Sequence, residues 1–87
     1  MGLKVAEVQP TPNPNAMKFV IDRHVWQQPL SFFKAEAARS HPLASRLFAI
    51  RGVSGLLLLG NFITVNKLPE ARWASIKTKV RRILAEN

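Results

Sequence analysis

Apolar and polar residues alternate twice near the start of the chain. In residues 3–8, Leu3, Val5 and Val8 recur imperfectly among polar neighbours; in residues 16–22, Met17, Phe19 and Ile21 alternate with Lys18, Val20 and Asp22. A period of two marks a strand with one face toward a core. Between them, the string QPTPNPN places Pro10, Pro12 and Pro14 at every second position. Each proline fixes its own φ at about −65° and pushes its predecessor toward extended geometry. The segment is therefore stiff and non-helical, and it joins the two strands as an antiparallel pair.

Residues 23–29 carry no clear period, and residues 30–33, with Phe32 and Phe33, read as a short strand or a packed loop. The string KAEAARSHP reads as a polar, alanine-rich linker with room for one helical turn. A helix is predicted from Pro42, led by Ser40 or His41, because proline in a first turn lacks only an N–H that would be unbonded anyway. Leu43, Leu47 and Ile50 fall on one of its faces with Phe48 beside them, and Gly52 supplies the left-handed stop. Residues 53–59 and the string FITVNK then flank Gly60-Asn61, which predicts a hairpin. The four leucines at 56–59 also suit a helix, but Gly52, Gly55 and Gly60 would leave it too short. A run this apolar predicts a strand covered on both faces. In residues 69–85, Trp73, Ile76, Val80, Ile83 and Leu84 form a three-four stripe, with Pro69 and Glu70 at the start. Arg81 and Arg82 complement the dipole at the other end. The fold class expected from these elements is α+β, a small and mostly antiparallel sheet covered by helices in two layers.

Composition sets the scale. The 87 residues make one domain, 1–87, with 47% hydrophobic residues for a core. No apolar run exceeds four residues, against the roughly 20 that a membrane helix needs, and the start lacks a signal-type segment. The expected location is the cytoplasm, with no membrane partner. Thirteen Lys and Arg against five Asp and Glu give a net charge of +8, a field that attracts nucleic acid, anionic lipid or acidic proteins, or simply keeps a small domain in solution.

The chemistry-bearing residues are few. The chain has no cysteine and two histidines, His24 and His41, which cannot supply the four ligands of an iron–sulfur cluster or a structural zinc set. Asp22 and His24 lie two apart, yet no thiol, GxSxG elbow, Walker loop or paired carboxylates accompany them. No catalytic, cofactor-binding or metal-ligating residue is therefore expected. The last helix carries Lys77, Lys79, Arg81 and Arg82, a candidate basic face for phosphates. Trp73 on the apolar stripe and Phe19, Phe48 and Phe62 at core-type positions leave Trp26, Phe32 and Phe33 as platforms for base stacking. The TPNPN segment is either a rigid connection or a pre-ordered display of the Asn13 and Asn15 amides to a partner, with Lys18 adding charge.

Taken in order, TPNPNAMKF at residues 11–19, HPLASRLFAIRGV at 41–53, GNFITVNK at 60–67 and the helix around Trp73 resemble the N-terminal domain of Nfu/NifU-like iron–sulfur cluster scaffold proteins. The resemblance covers most of the chain and implies an α+β domain with the hairpin at the centre of its sheet. In longer family members this domain precedes one whose CxxC thiolates carry the cluster, a motif these 87 residues lack. The implied role is that of a non-catalytic accessory module that contacts iron–sulfur assembly or target proteins and binds no cofactor alone. Asn61 stands where the family pattern has an acidic residue before FITV. The candidate partner-binding residues are Asn13, Asn15 and Lys18 beside Arg46 and Lys67, and changing both asparagines is expected to weaken partner capture without altering stability. The alternative is a basic nucleic-acid-binding or ribosome-associated protein acting through Lys77, Lys79, Arg81 and Arg82.

Overall fold

The alternation in the string FITVNK sets the layering of the molecule: Ile63, Val65 and Lys67 are buried, whereas Phe62, Thr64 and Asn66 are only half-covered. In the computed structural model, which describes residues 2–87, this string is strand β5 (Phe62–Lys67). It follows β1 (Val5–Pro10), β2 (Ala16–Ile21), β3 (Trp26–Phe32), α1 (Ala35–Ala38), α2 (Pro42–Phe48) and β4 (Val53–Gly60), and precedes α3 (Trp73–Glu86). The strands form one antiparallel sheet in the order β1-β2-β5-β4-β3.

Register places Phe19 opposite Ile63 and Leu56 and Leu58 opposite Val65 and Ile63, so these side chains share one face. Onto that face α2 lays Leu43, Ala44 and Leu47, and α3 lays Ile76, Val80 and Leu84. Full burial of each such aliphatic or aromatic side chain is worth about 1.5–3 kcal/mol, and truncating one to alanine costs about 2–5 kcal/mol. The helices cover that face only. Leu57 and Leu59, which pair with Thr64 and Phe62 on the opposite face, are half-exposed. The expectation of a β4 buried on both sides is thus corrected: its apolar run sits in a two-layer sheet with one open side.

Two glycines fix the chain reversals. Gly60 has φ 57° and is followed by Asn61 with a negative φ, the sign pattern of a type II′ hairpin turn, which favours glycine at its first central position. Gly52 has φ 98°, and a Cβ there would lie 2.6 Å from that of Ala71, so both torsion and space require glycine. It ends the turn after α2 while its carbonyl accepts from the Leu68 N–H at 2.8 Å, joining the two ends of the hairpin's flanks.

Other boundaries move for identifiable reasons. β1 runs from Val5 to Pro10 because Leu3 leaves the sheet, its N–H donating to the Leu84 carbonyl at 2.8 Å and its side chain buried. β3 begins at Trp26, earlier than its composition indicated; Trp26 pairs with Gly60 and is buried, and the register then breaks before Leu30, so residues 27–29 have no period to read. His41 is the α2 cap, its Nδ1 accepting the Ala44 N–H at 3.1 Å. α3 starts at Trp73 rather than near Pro69, because residues 68–71 form a turn closed by Ala71 N–H to the Leu68 carbonyl. Pro10 and Pro29 lie on β1 and β3, the two outer strands, and each of these strands also carries a break in register.

Candidate partner-binding site

The TPNPN connection is held by its own polar groups. The Thr11 hydroxyl contacts the Asn13 and Ala16 carbonyl oxygens, each at 2.9 Å, and lies 3.2 Å from the Asn13 N–H. Asn13 Oδ1 accepts the Asn15 N–H at 2.9 Å, an Asx turn that mimics a backbone turn. Proline at 12 and 14 fixes φ at two positions of this exposed segment and leaves it fewer conformations. The rigid connection is thus the reading the hydrogen bonds support.

Lys67 fastens this connection to the body of the domain. Its side chain follows Ile63 and Val65 on the covered face of β5 and is 9% exposed. The ammonium donates to Asn15 Oδ1 at 3.0 Å and to the Leu68 and Pro69 carbonyls, both at 3.3 Å. Those three acceptors match the three donors of the group, and the ammonium also lies 5.8 Å from the centre of the Trp73 ring. Trp73 in turn donates its indole N–H to the Pro14 carbonyl at 3.0 Å, and the Lys67 N–H bonds the Asn15 carbonyl at 2.8 Å. Two segments distant in sequence, residues 14–15 and residues 67–73, therefore lock one another.

Of the five residues anticipated as one partner surface, Asn15 and Lys67 meet directly in a clamp, and the exposed Asn13 adjoins them through its bond to the Asn15 N–H. Lys18 projects from the open face of the sheet, with its ammonium 4.2 Å from the centre of the Phe62 ring. Arg46 pairs with Glu86 at the far end of α3, about 20 Å along the helix from Trp73 at 1.5 Å per residue. Both asparagine side-chain oxygens accept intramolecular bonds, so changing the two residues together is expected to lower stability as well as to alter the surface. The period of two that placed Ile63 and Val65 inward also placed Lys67 inward, and this was the signal for its burial. Nothing in the sequence ties Trp73 to Pro14.

The four cations of the last helix also separate. Residues two apart on a helix point about 200° away from one another, so Lys77 and Lys79 take opposite flanks. Lys79 and Arg82 line the groove between α2 and α3 with Arg51, whereas Arg81 lines a hollow beside Gly2 and Lys4. They do not form one basic face. Among the anticipated stacking platforms Trp26 is buried and Phe33 is exposed. Asp22 bonds Arg23 and the Lys4 N–H rather than His24, and Arg23 beside it holds its carboxyl below the usual carboxylate range. Among the described residues no three His, Asp or Glu side chains gather as metal ligands, and no helix is long and apolar enough to cross a membrane.

A five-stranded antiparallel sheet with helices on one face, and its connecting loop clamped by a buried lysine, defines a two-layer α+β domain. The chain belongs to the family described as the N-terminal domain of the scaffold protein Nfu/NifU, which it matches over residues 6–87. It is 33% identical over 82 residues to the "NFU1 iron-sulfur cluster scaffold homolog, mitochondrial" of Drosophila erecta, covering 92% of this chain and 29% of that protein. With a "NifU-like protein" of Schizosaccharomyces pombe it shares 32% identity over 80 residues, 88% of this chain and 31% of the other. The chain thus spans about three-tenths of the length of these curated relatives. The same fold occurs in the solution structure of a NifU-like protein from Saccharomyces cerevisiae, with a TM-score of 0.84, 24% identity and coverage of 98% of this chain and 77% of that one. It occurs again in the crystal structure of a Staphylococcus aureus protein, with a TM-score of 0.80, 22% identity and coverage of 92% and 96%.

Proposed function

We propose that this chain is a non-catalytic docking module for iron–sulfur cluster assembly or delivery, which contacts cysteine-bearing carriers or recipients and does not ligate a cluster itself. The observation that carries the reading is the pairing of a family match over residues 6–87 with a sequence that holds no thiol. Cluster iron is bound chiefly by thiolates, so the cluster, as cargo, has to be held by another polypeptide segment. The names of the curated relatives support the assembly context. The clamp of Asn15, Lys67 and Trp73 supports a rigid surface whose ordering costs little on binding.

Gel filtration of the purified chain, alone and mixed with a purified cysteine-bearing iron–sulfur scaffold protein, tests this. Co-elution with the scaffold, with iron and sulfide travelling only with the cysteine-bearing partner, is the expected result. Stoichiometric iron and sulfide retained by the chain alone would overturn it, as would failure to co-elute with any such scaffold or recipient. A nucleic-acid role would have to work from a divided set of cations, since Lys79 and Arg82 line a different hollow from Arg81.

A further inference from the structure

Two adjoining hollows, of ≈ 400 and ≈ 450 Å³, run between the end of α2 and the flank of α3 and share Arg51 and Lys79 as walls. Together they make one groove with room for several side chains. Its walls carry five cations, Arg46, Arg51, Arg72, Lys79 and Arg82. Among the described residues only Arg46 has an acidic partner, Glu86. The other four make no side-chain hydrogen bond or ion pair there, which leaves their charge free for a ligand.

The floor differs in character from the walls. Ile50, Ala71, Ile76 and Ile83 line it, and Leu68, 44% exposed, stands at its edge. No aromatic side chain lines either hollow, so bases would find nothing to stack on. Carboxylates also close the groove at both ends, Glu70 before α3 and Glu86 at its last turn. A continuous polyphosphate would have to run past one of them. A short segment with its charges concentrated between them would not.

We infer that this groove is a docking site for an acidic, aliphatic-bearing segment of a partner protein, with Asp or Glu carboxylates on Arg51, Arg72, Lys79 and Arg82 and Leu or Ile side chains against Leu68, Ala71 and Ile83, the apolar lining that the fold leaves uncovered. Arginine presents a planar fork that takes a carboxylate through two parallel hydrogen bonds, and the apolar floor adds burial that a purely acidic chain does not exploit. The site rests on the docking reading given above and names its surface and the chemistry of its partner.

The test is an NMR titration of the 15N-labelled chain with three probes of matched charge: a peptide of about 12 residues in which Asp and Glu alternate with Leu and Ile, an oligoglutamate, and a single-stranded RNA. The alternating peptide is expected to shift the amides of Ile50, Arg51, Gly52, Ser75 and Lys79, and to bind at least about tenfold tighter than either other probe, a difference of about 1.4 kcal/mol. The double variant R51E/K79E should weaken it about tenfold or more. K77E/R81E, with the same change of charge on the other flank of α3, should leave affinity within about threefold. Should R51E/K79E fail to fold by circular dichroism, R51Q/K79Q takes its place. Equal weakening by both variants, shifts confined to another surface, tighter RNA binding or no peptide binding would each overturn the inference. Retained co-elution of R51E/K79E with the cysteine-bearing scaffold would remove the groove while leaving the docking reading intact. Failure of the unmodified chain to co-elute would remove that reading instead.

Discussion

The indole N–H of Trp73 and the carbonyl of Pro14, 59 residues apart in sequence, meet in a hydrogen bond of 3.0 Å. It joins the start of α3 to the proline-rich connection between β1 and β2. Trp73→Phe keeps most of the ring and removes the donor. The expected cost is about 1 kcal/mol, read as a fall in Tm of about 4–8 °C for a domain of this size. An unchanged Tm would show that the bond does not contribute.

Lys67 carries more of the same clamp. Lys67→Met preserves the length of the stem but leaves Asn15 Oδ1 and the Leu68 and Pro69 carbonyls without this donor. Destabilisation of about 1–2 kcal/mol is expected, since Leu68 and Pro69 are exposed enough for water to replace part of what the ammonium supplies, whereas Asn15 is half-covered. A double-mutant cycle with Asn15→Ala, followed by urea denaturation, should give a coupling of about 0.5 kcal/mol or more. Additive effects would dissolve the clamp.

At Gly52, torsion and contact act together. Gly52→Ala places a Cβ 2.6 Å from that of Ala71 at φ 98°, and backbone strain of this kind alone costs about 1–3 kcal/mol. Adding Ala71→Gly should recover the steric share and leave the torsional share. Full recovery of the melting curve would show that torsion is unimportant there.

The His41 cap offers a local test. His41→Ala deprives the Ala44 N–H of its Nδ1 acceptor and should cost about 1 kcal/mol, whereas His41→Asn, which can cap, should cost less. Equal losses would point instead to the contact between the His41 and Phe32 rings, whose centres lie 5.7 Å apart.

Acid dependence follows from Asp22. Its side-chain hydrogen bond to Arg23 is the largest cause of a pKa lowered from the ordinary value of 3.8. A depressed carboxylate favours the folded state above its unfolded pKa, and that contribution disappears as the pH falls through the lower folded value. Asp22→Asn should therefore reduce stability slightly at neutral pH and flatten the loss seen below about pH 4. Both groups are solvent-exposed, so the effect is small. An identical acid transition in the variant would assign it to other carboxylates.

The elements most legible in the sequence were those whose period matched their burial. Residues 16–21, the hairpin around Gly60-Asn61 and the Ile76–Val80–Leu84 stripe each present one buried face, and a periodic pattern reports that directly. β3 was obscured because its register break and Pro29 erase the alternation, with Trp26 alone showing where it starts. The start of α3 was displaced because Pro69 and Glu70 resemble a first turn but serve the reversal that packs Ala71 on Gly52. The candidate surface failed to assemble as anticipated for a different reason. The alternation of FITVNK already turned Lys67 inward, but nothing in charge or amide content reveals that Arg46 answers Glu86 at the opposite end of a helix.

The prolines on the outer strands reach beyond local geometry. An exposed strand rim is a template on which further chains can stack. Pro10 and Pro29 cannot donate a ladder bond, and each rim also carries a break in register, between Val5 and Glu7 on β1 and between Trp26 and Leu30 on β3. Concentrated solutions of this domain should therefore resist fibril growth, and converting both prolines to valine should turn a well-behaved domain into one that polymerises through its borders.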